Sequence, residues 1–491
     1  MSAQTQVSAD ERAVLDAVPG GSLVGDDWRD AGADLDVEDP STGSTLRSVA
    51  DAGPDDAMAA LDAAAAAQAE WAATDTRTRS DILRATYDAI LAAKDELALL
   101  NTLELGKPLT ESVAEVTYGA DFFRWYSEQA AHVGGTYRPA PTGGSRLLTM
   151  RQPVGPTLLI TPWNFPLAMA TRKVGAALAA GCTVVFKPAE QTPLTALVLG
   201  RLLRAAGLPA GVANVVVGSD APSLIRPLMA DPRLRKISFT GSTAVGSTLL
   251  GQAAQNILRS SLELGGNAPF LVFDDADVEA AVDGAMVAKM RNGGESCVAA
   301  NRFLVQAGIA AEFTAGLTEQ MRARVLGRGT DPDVTLGPLI DAAGRDKALA
   351  LLGDAVDRGA EVVTGGGVPD RPGWFLEATV LTGVPADARI TGEEVFGPVA
   401  PVTTFTDEDE AVRLANDTEF GLVGYAYTRD VGRALRIAER LETGMVGLNQ
   451  GLVSNAAAPF GGVKQSGLGR EGGDEGIAEY QNVKYVGLPL D

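Results

Sequence analysis

Short apolar runs alternate with helical stretches between residues 157 and 240, and this alternation restricts the fold more than anything else in the 491-residue chain. Residues 157–161, 183–187, 214–217 and 236–240 read as buried strands. Residues 165–180 and 193–206 read as helices, and another helix opens near Ser242. Strands that are apolar throughout, rather than at every second position, belong to parallel sheets covered on both faces by crossover helices. A second series follows, with strands at 270–273, 360–363 and 445–448 and helices at 278–290, 342–358 and 409–415. Asp274, Asp275 and Asp277 supply helix-start chemistry before the first of these helices. A chain this long exceeds one hydrophobic core, so two α/β domains are expected. Residues 146–154 and 480–490 have strand character but belong to neither series. They predict a small separate sheet that another subunit could complete. The Ala-rich 59–73 stretch reads as an amphipathic surface helix.

The formal charge of −22 offers no basic face, which argues against nucleic acid or an anionic membrane as partner. The first twelve residues lack the basic and apolar regions of a signal peptide. The longest nearly apolar run, 174–186, is too short to span a bilayer. Two cysteines give no disulfide framework and fit a reducing cytoplasm; with one histidine they also make a metal site an unsuitable expectation. The histidine count prunes mechanisms as well. A Ser-His-Asp or Cys-His hydrolase would have to use His132, which sits beside an expected helix end and reads as a partly exposed residue without chemistry.

Against that background Cys297 stands out. It follows Asn292-Gly293-Gly294-Glu295-Ser296, whereas the other cysteine, Cys182, lies in an apolar stretch. A thiol among glycines and polar residues, in a chain nearly free of histidine, points to a nucleophile working without an imidazole base. Glu263, in Leu262-Glu263-Leu264-Gly265-Gly266-Asn267, is the candidate substitute. Asn164, fixed between Pro162-Trp163 and Phe165-Pro166 after a buried strand, is placed to donate a hydrogen bond to a developing oxyanion; a loop asparagine making a turn bond is the alternative, which the two prolines fixing the backbone disfavour. Gly241-Ser242 leads from a strand into a helix, where free N–H groups could bind a phosphate or Ser242 could simply cap the helix. The usual G-x-G-x-x-G fingerprint is absent. Lys187 and Glu190 follow a strand, at the sheet edge where ligands bind, and could grip ribose hydroxyls or form only a solvated charge pair.

Taken in order, Pro162–Pro166, Lys187–Glu190, Gly241–Thr243, Leu262–Asn267, the Cys297 loop, Glu393-Glu394-Val395-Phe396-Gly397-Pro398 and Pro459–Gly467 resemble the aldehyde dehydrogenase superfamily across most of the chain. The resemblance implies an α/β fold with three parts. These are a Rossmann-like dinucleotide-binding domain (20–135 and 155–265), a catalytic domain (266–455) and a small β oligomerisation unit (136–154 and 470–491), in a homodimer or homotetramer. It implies Cys297 as nucleophile, Glu263 as the base that activates water, and Asn164 with the Cys297 N–H as oxyanion donors. Trp163, Lys187, Glu190, Gly241, Ser242, Glu394 and Phe396 would contact the cofactor, with Lys187 and Glu190 on the adenine ribose and Glu394 on the nicotinamide ribose. Lys173 matches a position sometimes assigned to proton relay. A carboxylate at Glu190 bonds a 2′-hydroxyl and repels a 2′-phosphate, so NAD is expected over NADP.

Arg172, Arg291 and Ser454 narrow the substrate. Two arginines near one pocket make a site for a carboxylate, through bidentate guanidinium pairing. Together with Ser454 they resemble the succinate-semialdehyde dehydrogenase branch, although either arginine alone reads as structural. Another ω-semialdehyde such as glutarate semialdehyde remains the nearest alternative, and a cysteine esterase or acyltransferase the alternative of a different class. Ala299 stands where some relatives carry a second cysteine. Glu295 stands where close relatives often have Gln, and a carboxylate there would raise the thiol pKa unless it faces away.

Overall fold

The computed structural model describes residues 7–489. Residues 1–6 lie outside it, as do Leu490, the last position of the expected C-terminal strand, and Asp491. The first alternating series forms an eight-stranded sheet. Its order is Gly467–Leu468, Arg259–Glu263, Lys236–Thr240, Thr157–Ile160, Val184–Lys187, Ala213–Val215, Ser22–Val24, Asp27–Arg29. The five inner strands run parallel, and antiparallel strands close both edges. The inner strands Thr157–Ile160 and Val184–Lys187, mostly apolar, are buried on both faces. Leu159, Val184 and Phe186 pack with helices Pro166–Ala180 and Pro193–Ala205. Leu158, Val185, Ile237 and Phe239 pack on the other side with Pro54–Ala73, Ala221–Ala230 and Thr243–Asn256. The Ala-rich helix thus begins at Pro54, before the expected start, and buries Ala57, Ala60, Leu61 and Ala64 on one side. The strand expected at 214–217 ends at Val215, because Val217 N–H turns to donate to Ser22 Oγ (3.0 Å).

Helices Pro166–Ala180 and Pro193–Ala205 have no side-chain caps of their own. Two buried glutamates from distant helices supply them. Glu115, on Leu109–Ala130, accepts from the N–H groups of Leu167 (2.9 Å) and Ala168 (3.1 Å). Glu104, on Lys94–Leu105, accepts from Leu194 (2.8 Å) and Thr195 (3.0 Å). Each carboxyl satisfies free N–H groups at the positive end of a helix dipole. Glu115 also pairs with the buried Lys107. By holding the first turn after Phe165, it fixes the exit of the Asn164 loop.

The second series forms a seven-stranded sheet ordered Glu361–Thr364, Thr379–Thr382, Val399–Phe405, Ala300–Gln306, Ala268–Val272, Val423–Tyr427, Met445–Leu448, parallel except at the first strand. Four of these strands, beginning at Ala300, Thr379, Val399 and Val423, lie outside the expected series. Of the three aspartates expected at the start of Val278–Met290, Asp277 caps it by accepting from Ala280 N–H (3.2 Å), whereas Asp275 accepts from Thr428 Oγ1 (2.8 Å). Ser145–Pro153 pairs antiparallel with both Gln481–Pro489 and Tyr137–Pro139 in a separate three-stranded sheet. That sheet leaves Tyr137, Met150, Val483 and Tyr485 exposed. Only four residues separate Glu263, at the carboxyl end of a first-sheet strand, from Ala268, which opens a second-sheet strand. The carboxyl edge of one sheet therefore meets the amino edge of the other.

Candidate active site

The crossover after Glu263 carries the chain against the Cys297 loop. A Cβ on Gly266 would lie 2.6 Å from the Cys297 carbonyl oxygen, and one on Gly461 would lie 2.8 Å from Glu263 Oε1. Side chains are excluded at both positions because the backbone and the carboxylate already occupy the space. Ser466 fastens this crossover from the C-terminal motif: its hydroxyl donates to Gly265 O (2.7 Å) and accepts from Gly421 N–H (2.9 Å). Lys289 supports it from behind, donating to Asn301 Oδ1 (3.0 Å), whose amide donates to Gly266 O (3.5 Å). Burial brings the Lys289 ammonium down to about 7.

Cys297 is partly accessible, whereas Cys182 is buried. Loss of hydration pushes the Cys297 thiol up to about 12; Arg172 opposes the rise, Glu394 and Glu263 add to it, and Arg291 opposes it again. Five of the residues singled out in sequence therefore share one electrostatic environment. Glu295 does not join them. It is buried with its carboxyl turned to the Ile340 N–H (3.1 Å), and burial raises its pKa well above the carboxylate range. Only its backbone carbonyl faces the site, where it accepts from Asn164 Nδ2 (3.1 Å). An amide nitrogen carries two N–H groups, so one anchors Asn164 and the second is left to donate.

Both carboxylate oxygens of Glu263 are buried without a hydrogen-bond partner. Burial raises the Glu263 pKa strongly, and the negative charge of Glu471 raises it further against Arg172 and Lys173. Glu471 pairs with Arg172 Nε (2.5 Å) and with Lys173 Nζ. Burial would raise the Glu471 pKa, but Lys173 and Arg172 bring it below the carboxylate range. Of the two carboxyls, Glu471 thus carries the charge and Glu263 holds the proton more tightly. Arg172 is fully buried, with its guanidinium over the Phe460 ring at 4.1 Å and Nη1 lacking a partner. Burial works against its charge, but Glu471 holds its pKa above the ordinary value. Arg291 lies over the rings of Phe165 (4.7 Å) and Tyr118 (5.5 Å) and reaches Ser454 Oγ at 3.5 Å. A cavity of about 460 Å³ opens beside it, lined in part by Phe165, Met290 and Leu452.

Trp163, Lys187, Glu190, Gly241 and Ser242 stand at or just after the carboxyl ends of first-sheet strands, and Glu394 and Phe396 come from the loop before the second-sheet strand Val399–Phe405. Lys187 Nζ and Glu190 Oε2 form an ion pair at 2.9 Å. Gly241 N–H donates to Glu263 O (3.1 Å), and Ser242 caps helix Thr243–Asn256 by accepting from Val245 N–H at 3.4 Å. Trp163 meets Phe396 edge-on at 5.5 Å. Glu394 accepts from Gly266 N–H (3.2 Å), and burial raises it to about 7. Lys173 also donates to Ser238 Oγ (2.9 Å). His132 is exposed in the turn after Leu109–Ala130. Among the described residues no cluster of His, Cys, Asp and Glu could hold a metal ion, and no helix is long and apolar enough to cross a membrane.

Residues 28–486 match the aldehyde dehydrogenase family along almost the whole chain. The chain belongs to the aldehyde dehydrogenase family. Among family members, a succinate-semialdehyde dehydrogenase of Paenarthrobacter nicotinovorans is 58% identical over 443 residues, covering 90% of this chain and 98% of the relative. A glutarate-semialdehyde dehydrogenase of Pseudomonas aeruginosa is 48% identical, covering 94% and 96%. The crystal structure of an Escherichia coli NADP-dependent enzyme superposes with a TM-score of 0.95 at 46% identity, covering 99% of this chain and all of that one. The aldehyde dehydrogenase fold is thus shared over nearly all of the described residues.

Sequence reasoning missed Glu471, Glu115, Lys289 and Asn292. Glu471 had a visible signal, as an acid within the glycine-rich Gly467–Gly473 tail. Glu115 and Lys289 had none, because helices with regular composition carry them and only tertiary packing brings them to the site.

Proposed function

We propose that this aldehyde dehydrogenase oxidises succinate semialdehyde to succinate with NAD. The observation carrying the substrate reading is the pair of arginines around the Cys297 thiol: Arg172 has an unpartnered buried Nη1, and Arg291 is held beside Ser454. In a dehydrated pocket a guanidinium binds a substrate carboxylate far better than any neutral group of similar length. Two cations on Glu471 leave local positive charge uncompensated, in a protein whose formal charge is −22.

The thiol of Cys297 loses its proton to water, and sulfur bonds to the aldehyde carbon while the carbonyl π pair moves to oxygen. The Asn164 amide and the Cys297 N–H stabilise that oxyanion. When bound, NAD would supply the hydride acceptor, and on loss of hydride the oxyanion pair would re-form the carbonyl, leaving a thioester on Cys297. Glu263 then takes a proton from water, whose oxygen attacks the thioester carbonyl. The C–S bond breaks and the pair returns to sulfur; the product acid gives its remaining proton to solvent, as does Glu263 the one it took, and the product leaves as a carboxylate. The residues at the sheet edge fit the dinucleotide. Lys187 and Glu190 would hold the adenine ribose, and the start of helix Thr243–Asn256 with Gly241 and Ser242 the pyrophosphate. Glu394, whose Oε2 leaves only 3.0 Å for a Cβ on Gly265, would hold the nicotinamide ribose beside Trp163 and Phe396.

The test is a steady-state comparison of succinate semialdehyde with butanal, a neutral aldehyde of the same carbon number. Succinate semialdehyde should have kcat/KM higher by at least about 100-fold, as expected for two charge-assisted contacts. Equal values would overturn the substrate reading, and a higher value for glutarate semialdehyde would replace it with the five-carbon homologue. Glu190 favours NAD, since its carboxylate would face a 2′-phosphate unfavourably. NADP should give kcat/KM lower by at least about tenfold. Parity would place this chain with its Escherichia coli NADP-dependent relative. The three-stranded sheet, with Tyr137, Val483 and Tyr485 exposed, supports self-association as a homodimer or homotetramer. The two free cysteines suit a reducing cytoplasm.

A further inference from the structure

The turn before Cys297 contains an asparagine in an unusual backbone conformation. Asn292 has φ 54° and ψ 42°, followed by left-handed Gly293 and Gly294. Its Nδ2 donates to two carbonyls at once, Asn164 O (2.9 Å) and Glu295 O (3.0 Å). Glu295 O also accepts from the Asn164 amide (3.1 Å). The backbone N–H of Asn292 donates to Glu111 Oε2 at 2.6 Å. The Asn164 loop and the Cys297 loop come from different sheets, yet two hydrogen bonds join them and a third, within the Cys297 loop, closes the same buried cluster. We propose that Asn292 is a positioning residue that sets the relation between the oxyanion donor Asn164 and the nucleophile Cys297. This rests on the roles proposed above for those two residues.

The geometry explains why the position matters. Asn164 keeps one amide N–H on Glu295 O, so the direction of its free N–H depends on where Glu295 O lies. Asn292 holds that carbonyl and the Asn164 carbonyl through the same nitrogen. A displacement of about 1 Å between donor and nucleophile loses much of the stabilisation of a developing oxyanion. Asparagine suits the task because it is among the few residues that tolerate the left-handed region. It adds a donor that glycine lacks. Glu111 contributes at the opposite end of the residue. Burial raises its pKa, the bond from Asn292 opposes that rise, and Lys107, Arg291 and Arg324 also oppose it.

Asn292→Gly keeps the left-handed backbone and the N–H to Glu111, removing only the side-chain amide. Asn292→Asp keeps the volume and places an oxygen where the donor stood. Both should lower kcat by about 10- to 100-fold, with KM changed by less than about threefold. Rates are taken per alkylatable Cys297, so that unfolded protein does not count. The decisive arm is the Asn164→Ala background, where Asn292→Gly should cost less than about threefold because its effect passes through Asn164. The same factor in both backgrounds, or a loss confined to KM, would overturn the proposal. The assay uses whichever aldehyde the parent enzyme oxidises fastest, so a different substrate preference would overturn the substrate reading and leave this test standing. An Asn164→Ala variant with full activity would instead overturn the oxyanion role itself.

Discussion

Glu263→Gln is expected to release one equivalent of NADH per subunit rapidly and then to turn over about a thousandfold more slowly than the parent enzyme. The glutamine keeps the shape of the side chain, so the aldehyde still reaches Cys297 and hydride still leaves. It cannot take a proton from water, and the thioester persists. The buried environment argues for this division of labour. Glu263 has no hydrogen-bond partner for either oxygen, and burial with the charge of Glu471 raises its pKa. A base poised above the ordinary carboxylate range is better matched to activating water near neutral pH. The sign of the pH dependence follows. Below its raised pKa Glu263 is protonated and inactive as a base, so deacylation-limited kcat falls as pH falls through that pKa. The glutamine variant should lose this limb. Stopped-flow absorbance at 340 nm separates burst from steady state. Full steady-state turnover would place the base elsewhere.

Arg291→Ala is expected to raise KM for succinate semialdehyde by about 10- to 100-fold, while changing KM for butanal by less than about threefold. This is the loss of one charge-assisted contact to a carboxylate that the neutral aldehyde lacks. Arg291 is the cleaner of the two arginines to test, because its neighbours are the rings of Tyr118 and Phe165 and the Ser454 hydroxyl. Arg172→Ala should show the same selectivity with a second effect added. Removing its guanidinium leaves the buried Glu471 with Lys173 alone, and breaking a buried ion pair is destabilising by about 3–5 kcal/mol. A lowered melting temperature in the Arg172 variant and not in the Arg291 variant would separate the two roles. Equal KM losses on both aldehydes in Arg291→Ala would refute carboxylate recognition.

Much of the fold was legible because burial on both faces leaves a strong mark. The strands at Thr157–Ile160 and Val184–Lys187 are apolar but for Thr157 and Lys187, and the sheet around them is parallel. Legibility failed where pattern and environment part company. The strand Ala300–Gln306 begins three residues after Cys297, and its Asn301 and Arg302 are buried through bonds to backbone carbonyls and Lys289 rather than by apolar character. The site divided in the same way. Cys297, Glu263 and Asn164 could be singled out because their chemistry is rare against a chain with one histidine and two cysteines. Glu295 illustrates the reverse. Its proximity in sequence suggested a charge beside the thiol, yet the turn through Asn292, Gly293 and Gly294 directs its carboxyl to Ile340. Chain distance does not report side-chain direction once three successive residues adopt left-handed conformations.

The most direct test of the nucleophile, base and substrate together is the intact mass of Glu263→Gln after mixing with succinate semialdehyde and NAD, followed by acid quench and peptide mapping. The account predicts a succinyl adduct of about 100 Da, as a thioester intermediate requires, located on Cys297 and formed in step with the NADH burst. A burst without any adduct, or an adduct on another residue, would contradict it.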